Sequence, residues 1–351
     1  MSILPLYGHE TLRARFAELA DRGTLPATVL LHGPAGVGKQ RLALWLGQRL
    51  LCEGERKPCG ACQHCRLVET LQHPDLRWVF PQTRLRDPEP PLDEVDESIL
   101  ADVAERREAH GLYARPDGSK GIYKYVAPLL VQLAAKSPSL ARRKVFVIGD
   151  AERMVPQASS QEAANAVLKL LEEPPTNTIF ILTSSEAGSL LPTIRSRTVA
   201  FRVPPVAESA VRDFLADSRV AAVVPNEPTG TLLRMAAGAP GSLIGDTDRS
   251  AAMARAQEVL TAADRGREAM LRTALASGSA KARGAFSDTL DALSVLLHDR
   301  ARTATAAGDA AAAMRAVRAI PAVEEAKRQA EGNANPQLVT ARLLAVLAGA
   351  D

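Results

Sequence analysis

Short apolar runs alternate with helix-like segments over the first 203 residues of the chain. The run at residues 198–203 predicts one strand, and three others, at residues 28–31, 144–150 and 177–185, lack the polar alternation of a half-exposed strand. Such runs predict strands that are buried on both faces. The segments between them carry apolar residues at helical spacing, and one of them, "SQEAANAVLKLLEEPP", ends in two prolines that stop a helix. The alternation predicts an α/β domain built on a parallel sheet.

The strands stop after residue 203, and the pattern becomes helical. Residues 204–248 predict short helices that end in "GAPGSL". From residue 249 the chain is rich in alanine, and Phe286, Leu290, Leu293 and Leu297 recur on one helical face. We therefore predict an α/β plus all-α protein, with a small helical domain at 204–248 and a second helical domain at 249–351.

One stretch of the first domain, residues 84–122, is rich in proline and charge and contains one amphipathic helix. This composition is typical of a solvated loop without a function of its own. The alternative is an inserted, lid-like hairpin. Both interpretations predict that the stretch is exposed.

The composition narrows the function classes. Apolar residues make up 46% and charged residues 24% of the 351 residues, as in ordinary soluble globular proteins. A net charge of +3 and an aromatic content of 4% do not by themselves indicate a nucleic-acid-binding surface. No apolar run reaches the length needed to cross a bilayer, and the first residues lack a signal-peptide pattern. We expect a cytoplasmic protein with no membrane partner.

The segment "GPAGVGKQ", residues 33–40, lies between the first predicted strand and a helix. It matches the phosphate-binding pattern G-x-x-x-x-G-K, in which backbone N–H groups and the lysine surround phosphates. Gly33, Gly38 and Lys39 occupy the pattern positions, and Gly36 allows the backbone to approach a ligand closely. We predict a genuine or ancestral phosphate loop, with an ordinary glycine-rich turn as the alternative.

Two features of this region argue against ATP hydrolysis. The pattern normally ends in Ser or Thr, whose hydroxyl holds magnesium, and Gln40 stands there instead. The strand at 144–150 ends in Gly149 and Asp150, where one acid would hold the metal and another would orient the attacking water. One of the two acids is therefore missing. Interpreted as independent defects, these changes make hydrolysis inefficient and leave binding of ATP or ADP open.

All four cysteines lie in one short segment, at Cys52, Cys59, Cys62 and Cys65. Two overlapping C-x2-C turns and one further thiolate supply the four soft ligands of a tetrahedral zinc site. Disulfides are not expected in a cytoplasmic protein. We predict structural Zn²⁺, with an iron–sulfur cluster or unmetallated thiols as alternatives. His64 could replace a ligand, but its place between two cysteines favours a bystander.

Arg195 and Arg197 precede the last predicted strand, at the edge of the first domain. An arginine there suits either the C-terminus of a helix or a phosphate carried by another subunit. From these residues alone, the first interpretation is favoured.

Several of these stretches together resemble one family. They are "GPAGVGK", the cysteine segment "CEGERKPCGACQHC", "HPDL", "AANAVLKLLEEPP", "FILTSSEAGSLLPTIRSR" and "NANPQLV". In this order they are similar to the delta-prime subunits of the bacterial DNA polymerase III clamp loader, which are members of the AAA+ class. The resemblance covers most of residues 1–203 and continues more thinly to the end of the chain.

The resemblance implies an AAA+ P-loop domain at 1–203 with a zinc module at 52–65, a helical lid at 204–248 and a subunit-joining collar at 249–351. It implies a heteropentameric loader whose ATPase and delta subunits are the partners, and which places the sliding clamp on primed DNA. In this family the arginine of an S-R-C motif reaches the ATP site of a neighbouring subunit, and Ser196-Arg197-Thr198 keeps that arginine. Arg197 is thereby expected to be an arginine finger that acts in trans.

The ATP-hydrolysing subunit of the same loader is the nearest alternative. That subunit should keep a hydroxyl at position 40, paired acids at 149–150 and a sensor arginine near the end of the lid, where this chain has Ser242. Three departures weaken hydrolysis while Arg197 is kept, which favours the non-hydrolysing subunit over the motor subunit or an autonomous AAA+ ATPase. A free-standing zinc-dependent DNA binder is the weakest alternative, because the net charge is small.

Overall fold

The computed structural model of the chain describes residues 1–114, 120–154, 161–186, 188, 190, 192–245, 249–277, 283–331 and 334–349. The chain divides into two compact units, Met1–Gly245 and Asp246–Asp351. The helices that follow residue 203 therefore group with the sheet, up to Gly245. The predicted boundary between lid and collar falls beside residues 246–248, which lie outside the described residues.

The first unit is built, within its described residues, on a parallel sheet of five strands in the order β2-β3-β4-β1-β5. Every residue of β3 and β4 is buried. Because successive side chains of a strand point to opposite faces, both faces of the sheet are covered. The strands are β1 Thr28–His32, β2 Leu76–Val79, β3 Lys144–Ile148, β4 Thr178–Ser184 and β5 Val199–Arg202.

Helices surround this sheet, and α2 begins directly after the phosphate loop and packs on β3 and β4. The helices of the first unit are α1 Glu10–Asp21, α2 Lys39–Leu51, α3 Gln63–Glu69, α4 Leu92–Glu108, α5 Val126–Ala135, α6 Gln161–Glu172, α7 Pro192–Arg195, α8 Glu208–Ala216 and α9 Thr229–Ala236. Short 3-10 turns follow β3 and α9, at Ala151–Arg153 and Pro240–Leu243.

The second unit contains helices in each of its described segments, and they share a core of their own. Leu290, Leu293 and Leu297 of α12 are buried in it, as their spacing predicted. The helices are α10 Arg249–Arg265, α11 Arg267–Ala276, α12 Arg283–Ala306, α13 Ala310–Glu331 and α14 Pro336–Leu347. The predicted α/β plus all-α class is confirmed. In the part of the chain that the structure describes, no helix has the length and apolar character needed to span a membrane.

Strand β2 was not predicted from the sequence. Its four residues are Leu-Arg-Trp-Val, and Arg77 interrupts the apolar run. It pairs in parallel with β3, with Leu76 opposite Val145 and Val79 opposite Ile148. Pairing with a fully buried neighbour, rather than a pattern of its own, makes this segment a strand.

The prediction that residues 84–122 are exposed is wrong for the helix that they contain. Val95, Ile99 and Val103 of α4 are buried in the same core as the sheet. Charged residues on the other sides of α4 and the prolines before it masked this narrow apolar face in the sequence. Residues 115–119 of the stretch lie outside the described residues.

We predict that Ile99→Ala lowers the free energy of unfolding by about 2–4 kcal/mol, because it removes most of a buried side chain and leaves a cavity. Ile99 is 3% exposed, whereas its neighbour Leu100 is 46% exposed. The matched variant Leu100→Ala should change the unfolding free energy by less than about 0.5 kcal/mol. Urea denaturation of both variants tests this, and equal losses would contradict the placement of α4 in the core.

Candidate functional site

The phosphate loop joins the end of β1 to the start of α2 and lies against the segment that follows β5. Gly33 has a φ of 154°, and a Cβ built on it would lie 2.2 Å from the carbonyl oxygen of Val203. On either side of this contact, the Gly33 N–H donates to the carbonyl of Ser184 and the Val203 N–H donates to the carbonyl of His32. The close packing requires glycine at position 33.

The 3-10 turn at Pro240–Leu243 lies on the other side of the loop. The Gly241 N–H donates to the carbonyl of Gly36 at 2.8 Å, and a Cβ built at Gly36 would lie 2.5 Å from the Ser242 nitrogen. Position 242 therefore adjoins the loop, where the family resemblance places a sensor arginine. In this chain position 242 is a serine, whose hydroxyl donates to the carbonyl of Ala239 at 2.6 Å.

Lys39 is held within the loop. Its Nζ donates to the carbonyls of Gly33 at 2.9 Å and Pro34 at 2.7 Å and to Ser185 Oγ at 3.0 Å. Lys39 is 5% exposed. Nearby, the buried ring of His9 donates through Nε2 to the carbonyl of Val37 at 2.7 Å. These contacts fix the loop from inside.

Gln40 is buried at the start of α2 and reaches the end of the sheet. Its Oε1 accepts a hydrogen bond from Trp78 Nε1 at 3.0 Å, and its Nε2 donates to Asp150 Oδ2 at 3.0 Å. An indole can only donate and an ionised carboxylate can only accept, so these two partners determine which way the carboxamide faces. The side chain at the metal-binding position of the pattern is thus hydrogen-bonded to two side chains of the protein itself.

Gly149 lies against the side chain of Gln40, although the sequence presents the two positions as separate departures from the phosphate-binding pattern. A Cβ built on Gly149 would lie 2.3–2.7 Å from the carboxamide atoms of Gln40. No side chain fits at position 149 while the carboxamide stays in place. The carboxamide of Gln40 and a side chain at position 149 would therefore compete for the same space.

Three residues near this site were not identified from the sequence. Trp78 is one. Another is Glu152, a second acid beside Asp150, whose Oε1 accepts from the Ser185 N–H at 2.9 Å. Burial and the neighbouring charge of Asp150 raise the pKa of Glu152. Its position two residues after the strand-end acid was the available signal.

Arg106 of α4 is the third. Its guanidinium lies 3.2 Å from the ring centroid of Phe80, 3.8 Å from that of Tyr113 and 4.6 Å from that of Trp78. Burial lowers the pKa of Arg106 to about 10, although the charge of Asp150 opposes the change. The guanidinium therefore stays charged at neutral pH. No signal in the sequence connected residue 106 with the phosphate loop.

Arg197 lies at the other end of the sheet from the phosphate loop. β1 and β5 are parallel, with His32 opposite Arg202, and the loop follows His32 directly. Arg197 precedes Arg202 by five residues, which corresponds to roughly 16 Å of extended chain. Its Nε lies 3.1 Å from Glu172 Oε2, and its Nη1 donates to the carbonyl of Thr193 at 3.1 Å. The side chain of Arg197 is 29% exposed, and these two contacts hold it at the edge of the sheet opposite its own loop.

The four cysteines converge on one point. The sulfur atoms of Cys52, Cys59, Cys62 and Cys65 all lie within 4.8 Å of one another, with Sγ–Sγ distances of 3.8 Å for Cys52–Cys62 and 3.9 Å for Cys59–Cys65. Four thiolates about 2.3 Å from a tetrahedral zinc would be about 3.8 Å apart. The site fits a zinc ion, and His64 is not part of it.

Backbone N–H groups support these thiols as metal ligands. The N–H of Cys59 donates to Cys52 Sγ and that of Cys62 donates to Cys59 Sγ, both at 3.3 Å. The N–H groups of Cys62 and Ala61 lower the pKa of the Cys59 thiol to about 6, whereas burial raises the pKa of Cys65. A metal would stabilise the buried thiolate, which is the form that binds zinc.

A buried histidine pair connects the cysteine module to β2. The N–H of Asp75 donates to His73 Nδ1 at 3.0 Å, so in the neutral ring the proton is on Nε2. His73 Nε2 then donates to His64 Nδ1 at 2.8 Å. Asp75 itself accepts N–H groups from residues 139–141. The "HPDL" motif therefore anchors the module to the sheet.

These features define a class of protein, a P-loop-type α/β domain with a four-cysteine module whose phosphate loop is filled by its own side chains. Residues 8–207 match the family model described as DNA polymerase III, delta subunit. The match covers more than half of the chain, so the chain belongs to this family. The resemblance inferred from the sequence motifs is confirmed.

Curated relatives agree with this assignment. The chain is 30% identical over 232 residues to the DNA polymerase III subunit delta' of Pseudomonas aeruginosa, covering 66% of this chain and 57% of the relative. It is 28% identical over 239 residues to the Haemophilus influenzae delta' subunit, covering 68% and 58%. It is also 29% identical over 199 residues to the gamma/tau subunit of Mycobacterium bovis, covering 56% and 28%. The matched stretch thus spans little more than half of the delta' relatives.

We predict that His73 makes the protein less stable as the pH falls. Burial lowers the pKa of His73 from 6.5 to about 4, so between these values the unfolded chain binds the proton and the folded chain does not. Stability should decrease by about 1–3 kcal/mol as the pH falls from 6.5 to 4. Urea denaturation across this range should show a weaker pH dependence for His73→Gln.

The exposed Leu100 provides the control, because Leu100→Ala changes no titratable group and should keep the wild-type pH dependence. If the unfolding free energy changed equally with pH in the wild type and in His73→Gln, the neutral, buried state of His73 would be wrong.

Proposed function

We propose that this chain is a delta-prime-type subunit of a DNA polymerase III clamp loader that supplies Arg197 to the ATP site of a neighbouring ATPase subunit. The observation that carries the proposal is the placement of Arg197. It lies at the opposite end of the parallel sheet from its own phosphate loop, so its partly exposed side chain suits a phosphate held by another chain. A guanidinium offered to the transferred phosphoryl group stabilises the charge that develops there.

The chain's own loop is proposed to be non-hydrolysing. Gln40 replaces the metal-binding hydroxyl, Gly149 carries no acid, and Ser242 carries no sensor cation. The carboxamide of Gln40 is bound to Trp78 and Asp150, which supports a structural role for this region. The chain would then contribute to loading the sliding clamp onto primed DNA through its position in the complex, with ATPase and delta subunits as its partners.

The ATP-hydrolysing motor subunit is the second candidate, favoured by the similarity to the gamma/tau subunit of Mycobacterium bovis. ATPase measurements on the isolated chain and on Lys39→Ala separate the two. The proposed function requires negligible and equal rates, because the loop lacks its metal site. A wild-type rate that falls in Lys39→Ala would favour the motor subunit.

We predict that Arg197→Ala lowers the clamp- and DNA-stimulated ATPase of the assembled loader. The neighbouring site would lose the charge that stabilises its transition state, an effect of about 10³–10⁵ in rate at that site. Turnover should be measured in the complex purified with its partner subunits. Arg197→Lys should recover only part of the rate, because an ammonium lacks the bidentate fork of a guanidinium.

Arg195→Ala is the matched control for Arg197→Ala. Arg195 is an exposed arginine two residues away and should be dispensable. Normal stimulated turnover by the Arg197→Ala complex, at unchanged subunit composition, would rule out the proposed role.

The cysteine module is proposed to hold one structural Zn²⁺, which would supply folding free energy rather than chemistry. Metal analysis of freshly purified protein should find about one zinc per chain. Cys62→Ser should reduce the zinc content and lower the unfolding temperature, whereas Ser196→Ala should do neither. Iron with acid-labile sulfide, or no metal at all, would contradict the zinc assignment.

A further inference from the structure

The contacts of Gln40 carry an inference about how this phosphate loop differs from one that binds a metal. In the phosphate-binding pattern, the side chain at position 40 and an acid at the end of a nearby strand hold a divalent cation between them. Here the carboxamide of Gln40 reaches that strand end. It contacts Asp150 through a hydrogen bond and excludes any side chain from position 149.

We propose that Gln40 and Gly149 form a reciprocal lock, in which the carboxamide of Gln40 takes the place of the divalent metal. The loop can then bind a metal only when both residues are replaced together. This inference rests on the proposed non-hydrolysing function and gives it a structural cause. Arg197 has no part in it.

Steric exclusion makes the lock reciprocal. Gly149 has no positive φ, so an alanine there would meet no backbone strain. What it would meet is the carboxamide, at 2.3 Å from Oε1, 2.5 Å from Cδ and 2.7 Å from Nε2. The carboxamide cannot move away without breaking its hydrogen bonds to Trp78 and Asp150, and Gln40 is only 4% exposed. Its retreat would leave buried polar groups unsatisfied.

Charge balance supports the same interpretation. In a metal-binding loop the cation neutralises the acids at the strand end. Here Asp150 accepts from Gln40 Nε2, and the charged guanidinium of Arg106 attracts it from within the aromatic cluster of Trp78, Phe80 and Tyr113. Trp78 connects the carboxamide to the aromatic cluster, because its N–H donates to Gln40 and its ring faces the guanidinium of Arg106. The protein thus supplies its own substitutes for the ion.

The lock makes a prediction that neither residue makes alone. Restoring the acid at position 149 should be harmful while Gln40 is present, and restoring the hydroxyl at position 40 should leave Trp78 and Asp150 without their partner. The two substitutions should be tolerated only when they are made together, which is a non-additive effect between contacting residues.

A double-mutant cycle on the full, zinc-loaded chain tests the steric part, using Gly149→Ala, Gln40→Ala and the double variant. Gly149→Ala should lower the unfolding temperature by about 3–10 °C when Gln40 is present, and by less than about 2 °C in the Gln40→Ala background. The indole N–H resonance of Trp78 should shift in Gly149→Ala, with that of Trp45 as the internal reference. Equal temperature changes in both backgrounds, or an unshifted Trp78 resonance, would overturn the lock.

Manganese binding tests the metal part. Mn²⁺ is titrated in the presence of ADP and followed by electron paramagnetic resonance, in wild type, Gly149→Asp, Gln40→Thr and the double variant. The double variant should bind Mn²⁺ at least about tenfold more tightly than either single variant. Equal affinity in Gly149→Asp alone, or no gain in the double variant, would overturn the proposal. Neither experiment uses a partner subunit or Arg197, so its failure is distinguishable from failure of the in trans role.

Discussion

The close approach of backbone segments around the phosphate loop is the constraint on which the rest of the first unit depends. Gly33 packs against the carbonyl of Val203, and Gly36 packs against Ser242. Each contact leaves no room for a Cβ, so the loop, the segment after β5 and the turn at Pro240–Leu243 are held as one layer. The loop keeps the backbone of a phosphate site, while its side chains bind to the protein itself.

The end of the sheet beside this loop is stabilised by parts of the chain that are distant in sequence. Trp78 comes from β2, Asp150 follows β3, and Arg106 comes from α4. Together they surround the carboxamide of Gln40 with a donor, an acceptor and a buried positive charge. In this chain the carboxamide is buried beside Trp78 and Phe80 of the hydrophobic core.

The direction of the strands places the phosphate loop and Arg197 at opposite edges of the sheet. In a parallel sheet every strand ends at the same edge, so a loop after β1 and an arginine before β5 must lie at opposite edges. The chain cannot direct Arg197 to its own loop without reversing a strand. This topology is the structural basis of the proposed role of Arg197 at the ATP site of another subunit.

The sequence by itself determined the strands with long buried runs, the loop after β1, the four-cysteine module and the helical end of the chain. Each of these follows from residues that are close together, whose periodicity or spacing contains the information. Four-cysteine geometry, for example, follows from turns of a few residues. The family motifs determined the assignment for the same reason, because they are short and occur in a fixed order.

Only the tertiary structure decided which distant residues share a space. It made Leu76–Val79 a strand by pairing it with β3, and it placed α4 in the core despite its charged surroundings. It also placed Gly149 against the carboxamide of Gln40, which is 109 positions away in the chain. Contacts of this kind depend on ångström distances between separate elements, which hydrophobic patterns and motif spacings do not specify.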